Sequence, residues 1–206
     1  MTEINSSEQK EWNELINLLQ FRLNEEGLND KLLFHGSSNF VYDDIQSQGL
    51  SPNDVEVALF QNNHGIGKYG TFWGNLTTAN DYALDTSTER HVDSKPMLIA
   101  SRIEDLLADT IIVPDGATFD FPIDNLTQLH QPSVLKNWEL NHDKMTWEDS
   151  LRDLGAVICI HDFTLPAEEL FFVQKIEDVD NLILDYKKLL QPPLKPVFLV
   201  DCNKSS

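Results

Sequence analysis

From Glu8 to Glu26 the apolar residues Trp12, Leu15, Ile16, Leu18, Leu19 and Leu23 recur at three- and four-residue spacing. That period predicts an amphipathic helix, and Gly27 follows as its stop. Leu32 to His35 is a short apolar run and predicts a strand. Phe40 to Gln48 returns to the helical period and ends at Gly49. His35 and Gly36 therefore fall where a strand hands over to a helix. Ser51 to Tyr69 reads mostly as loop, with Val55 to Phe60 as a short strand candidate. Thr71 to Trp73 predicts a brief strand. Thr77 to Leu84 predicts a helix with Thr77 or Thr78 as its N-cap.

The second half is richer in strand patterns. Pro96 to Ile103, Thr110 to Val113, Ala156 to His161, Leu170 to Val173 and Val197 to Val200 are the candidates. Trp147 to Leu154 and Val179 to Leu190 read as helices. Asp115 to Asp143 holds Pro122, Pro132 and few periodic apolar residues, so it predicts a long excursion. Helices mixed early with strands, then mostly strands, indicate an α+β fold with a mainly antiparallel sheet. A length of 206 residues favours one domain. Residues 1–30 are expected to form a helical segment packed on a domain spanning 31–206.

Charge changes the picture more than composition does. Fifteen basic against 34 acidic residues give a net charge of −19. Such a surface repels phosphate backbones and excludes a general nucleic-acid binder. It suits a basic protein partner, although solubility is the plainer reading. No apolar run approaches the roughly 18 residues that span a bilayer. Met1 to Lys10 is polar and acidic, without the features of a secretion signal. The expected location is cytoplasmic, with export by another route left open. Cys159 and Cys202 set no disulfide framework, and Cys159 inside Ala156-Val157-Ile158-Cys159-Ile160 reads as a buried thiol.

Several chemistries can be set aside. Gly65-Ile66-Gly67-Lys68-Tyr69-Gly70 is a literal Gly-x-Gly-x-x-Gly. A dinucleotide fingerprint follows a strand and opens a helix, whereas four polar residues precede this one and a non-helical segment follows. A P-loop needs Ser or Thr after its Lys, and Lys68 precedes Tyr69. No Gly-x-Ser-x-Gly elbow exists. His35 with Ser37 or Ser38 fails as a base and nucleophile, because adjacent residues rarely reach the required geometry. His130, His142 and His161 with Asp143 and Asp162 are better read as scattered surface groups than as a metal site. No metal is expected.

Three segments remain. Leu33-Phe34-His35-Gly36-Ser37-Ser38 sets His and Gly at a strand end. Gly70-Thr71-Phe72-Trp73-Gly74 sets two aromatics between glycines, with Thr78-Ala79-Asn80-Asp81-Tyr82-Ala83 behind it. Glu169-Leu170-Phe171-Phe172-Val173 begins an aromatic strand with a carboxylate. In this order they resemble the ADP-ribosyltransferase fold, in the branch shared by diphtheria-type toxins and poly(ADP-ribose) polymerases. That branch carries His, Tyr and Glu on three strands. The resemblance spans Leu32 to Gln174 and departs at one point: the family's Tyr falls on Phe72.

The resemblance implies a split antiparallel sheet with flanking helices, and NAD as substrate. It implies that His35 bonds the adenosine ribose and that Gly36 offers its backbone to the nicotinamide carboxamide. Ser37 or Ser38 would add a hydroxyl. Phe72 would stack on nicotinamide, with Gly70, Thr71 and Tyr82 lining the same pocket. Glu169 would stabilise the oxocarbenium-like transition state, with Glu168 as its alternative. The implied activity is NAD-dependent mono-ADP-ribosyl transfer to an unknown acceptor, protein rather than nucleic acid, as in a bacterial or phage effector. The rivals are a degenerate NAD- or ADP-ribose-binding module and an acidic interaction domain. The RNA 2′-phosphotransferase branch of the same fold is disfavoured by the charge.

Overall fold

The computed structural model describes residues 6–54, 69–91, 93–115, 132–141 and 144–190. The fold is α+β, built on an antiparallel sheet. The strands are β1 (Leu32–Ser38), β2 (Asn53–Asp54), β3 (Tyr69–Gly74), β4 (Pro96–Arg102), β5 (Ile111–Pro114), β6 (Ala156–Ile160) and β7 (Phe171–Val173). Their order across the sheet is β5-β6-β3-β1-β4-β7, with β2 pairing β3. The helices are α1 (Ser6–Glu26), α2 (Tyr42–Gln48), α3 (Leu76–Asp85), α4 (Ile103–Asp109), α5 (Pro132–Asn141), α6 (Trp147–Asp153) and α7 (Ile176–Leu189).

Alternation along the strands sorts the core onto two faces. Leu32, Phe34, Leu98, Ala100 and Val173 face α1, α3 and α7. Leu33, Met97, Ile99, Trp73, Val157 and Cys159 face the other side, with Ile45, Leu50 and Leu106. Trp12, Leu15, Leu19 and Leu23 bury the predicted stripe of α1 in the first of these clusters. Trp12 Nε1 also donates to Asn80 Oδ1 at 2.7 Å, tying α1 to α3. The N-terminal helix is thus part of the same core as the sheet.

Most predicted elements are present with shifted ends. β1 runs on to Ser38, and α2 is preceded by a 3₁₀ turn, Asn39–Val41. Gly49 ends α2 at φ 86°, a backbone region that suits glycine. The N-cap of α3 is Asn75, not Thr77 or Thr78: its side chain accepts from Thr78 N. The expected excursion from Asp115 to Asp143 contains α5, in which Trp138 is fully buried and donates to Asp153. The Val55–Phe60 and Val197–Val200 strand candidates lie outside the described residues, as does Cys202. Cys159 is buried, and burial pushes its thiol up to about 12.

The sheet has one weak seam. β1 pairs with β4 along seven residues, from Leu32↔Arg102 to Ser38↔Pro96. On its other edge β1 pairs with β3 only at Phe34↔Gly74. Beyond that pair α3 packs over β1. A Cβ on Gly36 would lie 2.2 Å from Ala79 O and 2.6 Å from Ala83 N. Both are backbone atoms that cannot swing away. Gly36→Ala is therefore expected to lift α3 off β1 and cost at least the 1–3 kcal/mol or so typical of overpacking. Urea unfolding of the variant against the parent measures this; equal midpoints would contradict the packing.

Candidate functional site

The seam is where the predicted residues meet. Asn39 N donates to Lys95 O, and Ile103 N donates to Lys31 O, so odd-numbered residues of β1 aim their backbone groups at β4. Alternation then turns the N–H and C=O of Phe34, Gly36 and Ser38 toward β3. Phe34 meets Gly74 there. Gly36 directs its pair into the gap where that ladder has stopped.

Aromatic groups flank the gap. Gly74 lies against Thr78 of α3, so the same-parity Phe72 also leaves β3 on the α3 face. Phe72 is half-buried and packs on Val113, Ile158 and Ile160. Tyr82 approaches from α3, its Cβ 2.7 Å from the position of a Gly36 Cβ. Its side chain is 42 % exposed. An open glycine edge thus lies beside two aromatic side chains, one from β3 and one from α3.

His35 closes the gap from the other face. Its Nδ1 lies 2.7 Å from Phe72 O. A carbonyl only accepts, so Nδ1 carries the proton. Burial holds the His35 pKa below the ordinary histidine range, opposed by the bond to Phe72. The neutral ring keeps Nε2 as an acceptor, suited to a hydroxyl donor such as a ribose. Its ring meets that of Trp73 at a tilt of 52°, with centroids 5.8 Å apart.

The remaining predicted residues have other partners. Ser38 Oγ is 2.6 Å from His91 Nδ1, and Ser37 is buried. Gly70 lets β6 approach: a Cβ there would lie 2.4 Å from Cys159 O. Thr71 Oγ1 is bonded to Trp73 and to His161. That places His161 in the structure and not among surface groups; it is 5 % exposed. His130, His142 and Asp143 lie outside the described residues, among which no group of three metal-type ligands occurs.

Glu169 stands apart. It does not begin a strand but closes a 3₁₀ turn, Ala167–Glu169, ahead of β7. Glu168, its alternative, lies in the same turn and is exposed. Phe172 is level with Ile99, and Ile99 with His35. Glu169 lies in the turn before β7, which is two strands from β1 and so about 10 Å across the sheet. Burial and the neighbouring Asp105, Asp109 and Glu168 raise its pKa, against Arg102. Its surroundings are α4 and β4, not the gap. β1, β3, β4 and β6 carry no Asp or Glu.

A cavity of about 630 Å³ lies elsewhere, between α1, the turn after α3 and the start of α7. It is lined by Glu8, Glu11, Glu14, Asp93 and Glu177 against Lys95 and Lys175. That excess of negative charge repels a pyrophosphate. The predicted residues meet at the seam and not at this cavity. Comparison with known proteins returns no match to a family model, a curated protein or a solved structure.

Burial lowers the pKa of His161 as well as of His35. The unfolded chain then binds more protons than the native one below about pH 6.5. Their contribution to stability is complete above that pH and is lost as pH falls toward the lowered native values. The stability difference between pH 7.5 and pH 5.5 is expected to be smaller in His161→Gln than in the parent, read from urea midpoints. Equal differences would contradict it.

Proposed function

We propose that the chain binds NAD or ADP-ribose at the seam between β1 and β3, in a domain of ADP-ribosyltransferase type. The observation that carries this reading is the open Gly36 edge between Phe72 and Tyr82. A carboxamide needs one donor and one acceptor side by side, and a single glycine in extended backbone supplies both. An aromatic face on each side suits a planar ring. The neutral His35, with Nε2 as acceptor, suits a ribose hydroxyl. The resemblance implies a split antiparallel sheet, and the single-pair contact of β1 with β3 is in keeping with that.

Transfer of ADP-ribose to an acceptor, protein rather than nucleic acid, is the activity proposed for such a domain. It asks for a carboxylate at the nicotinamide–ribose bond. The location of Glu169 favours binding over transfer. Phe72 points the same way, since it lacks the hydroxyl of the family's Tyr.

Calorimetric titration with NAD and ADP-ribose tests the binding. Phe72→Ala and Tyr82→Ala are each expected to weaken NAD binding about three- to tenfold, the range of one aromatic contact, and to change the binding of ADP-ribose, which has no nicotinamide, less. No heat with either ligand at millimolar concentration, for a folded protein, overturns the reading. Incubation with labelled NAD and a lysate tests transfer. Glu169→Gln is expected to leave NAD affinity unchanged; loss of an observed transfer in that variant would restore Glu169 to the reacting centre.

A further inference from the structure

Behind the seam lies a run of hydrogen bonds whose direction is fixed by one atom. Indole N–H only donates. Trp73 Nε1 donates to Thr71 Oγ1 at 2.7 Å. Thr71 Oγ1 lies 2.9 Å from His161 Nε2. Having accepted from Trp73, the threonine hydroxyl has its own proton to place, and Nε2 receives it. The other ring nitrogen, His161 Nδ1, is 2.6 Å from Phe163 O. A carbonyl accepts, so Nδ1 carries the proton. Every donor in the run has one acceptor, and His161 is held as the neutral Nδ1–H tautomer.

The run is buried where it touches the sheet. Thr71 is 1 %, Trp73 2 % and His161 5 % exposed. Its far end orients the indole that the His35 ring meets at a tilt, with centroids 5.8 Å and planes 52° apart. We propose that Thr71 and His161 are positioning residues for the nucleotide seam: through Trp73 they fix the plane of His35 and so the direction of its Nε2. This rests on the nucleotide reading of the seam.

The chemistry makes the arrangement intolerant of change. A protonated His161 presents an N–H to Thr71, so the threonine hydroxyl loses its acceptor. Asp162 is the charged group that acts on His161 in favour of protonation. The facing groups on β3 are the Thr71 hydroxyl and the Tyr69 carbonyl, which accepts from His161 N at 3.1 Å. Thr71→Val keeps the shape and deletes the oxygen, leaving Trp73 Nε1 and His161 Nε2 both unpaired in a buried place.

The test compares Thr71→Val with Thr71→Ser, which keeps the oxygen. Two readouts are used: the ¹⁵N signals of His35 and His161, and the affinity for ADP-ribose. The parent is expected to show both histidines as Nδ1–H tautomers at pH 7.5. Thr71→Val is expected to broaden or shift the His35 signals and weaken ADP-ribose binding about tenfold, with far-ultraviolet dichroism unchanged. Thr71→Ser is expected to restore the parent signals and an affinity within about twofold. Should Thr71→Val not fold, His161→Leu against His161→Gln makes the same comparison, because the glutamine oxygen still accepts from Thr71. A folded Thr71→Val or His161→Leu with parent-like His35 signals and affinity overturns the proposal. If the parent binds neither ADP-ribose nor NAD, the nucleotide reading fails; the His35 signals then still decide whether Thr71 positions that ring.

Discussion

One hydrogen bond holds the two halves of the seam in register after their ladder has ended. β1 and β3 share a single residue pair, Phe34↔Gly74. One residue further along β1, and two residues back along β3, His35 Nδ1 reaches Phe72 O at 2.7 Å. A side chain thus replaces the next rung of the ladder. The substitution leaves Gly36 with its backbone groups turned toward β3 beyond the last ladder pair. An opening in a sheet interior is costly unless something offsets it. Here β1 is paired in full to β4, β3 is paired in full to β6, and α3 roofs the junction.

The two faces of the sheet divide the work. On one face α3 packs so closely on Gly36 that no Cβ fits, and the same helix delivers Tyr82 beside the opening. On the other face the polar run from Trp73 through Thr71 to His161 crosses an otherwise apolar cluster. A buried polar run is acceptable only when each member is satisfied, and this one is. It ends at Phe163 O, in the segment whose Leu165 pairs with Leu50. The loop following α2 and the loop following β6 are thereby joined to the strand that carries Phe72.

Helical period and strand alternation made much of this legible. α1 could be read from Trp12, Leu15, Leu19 and Leu23 because one stripe is buried against a single core. β1 and β3 could be read around His35 and Phe72 because glycines and apolar residues bracket them. Glu169 was misplaced for a physical reason. Glu168, Glu169 and the aromatics after them resemble the start of a strand, but Pro166 at φ −63° opens a 3₁₀ turn that takes up both carboxylates. The hydrogen bond of His161 to Thr71 was hidden because a lone histidine after an apolar strand has no sequence signal. Only the pairing of β3 with β6 brings it to Thr71. Thr71 itself looked like pocket lining because nothing local reveals that its hydroxyl serves Trp73.

The seam offers a ligand no charge. Its polar groups are the backbone of Gly36 and a histidine kept neutral by burial. The chain around it carries a net charge of −19. A dinucleotide brings negative phosphates, which such a surface repels at range. In the proposed complex, recognition then rests on hydrogen bonds and stacking at the nicotinamide and ribose, with the phosphates left toward solvent. Those interactions are directional, and their worth depends on how well each protein group is held. On the proposed reading, the orientation of one imidazole, with an indole and a threonine behind it, counts for more than the number of contacts.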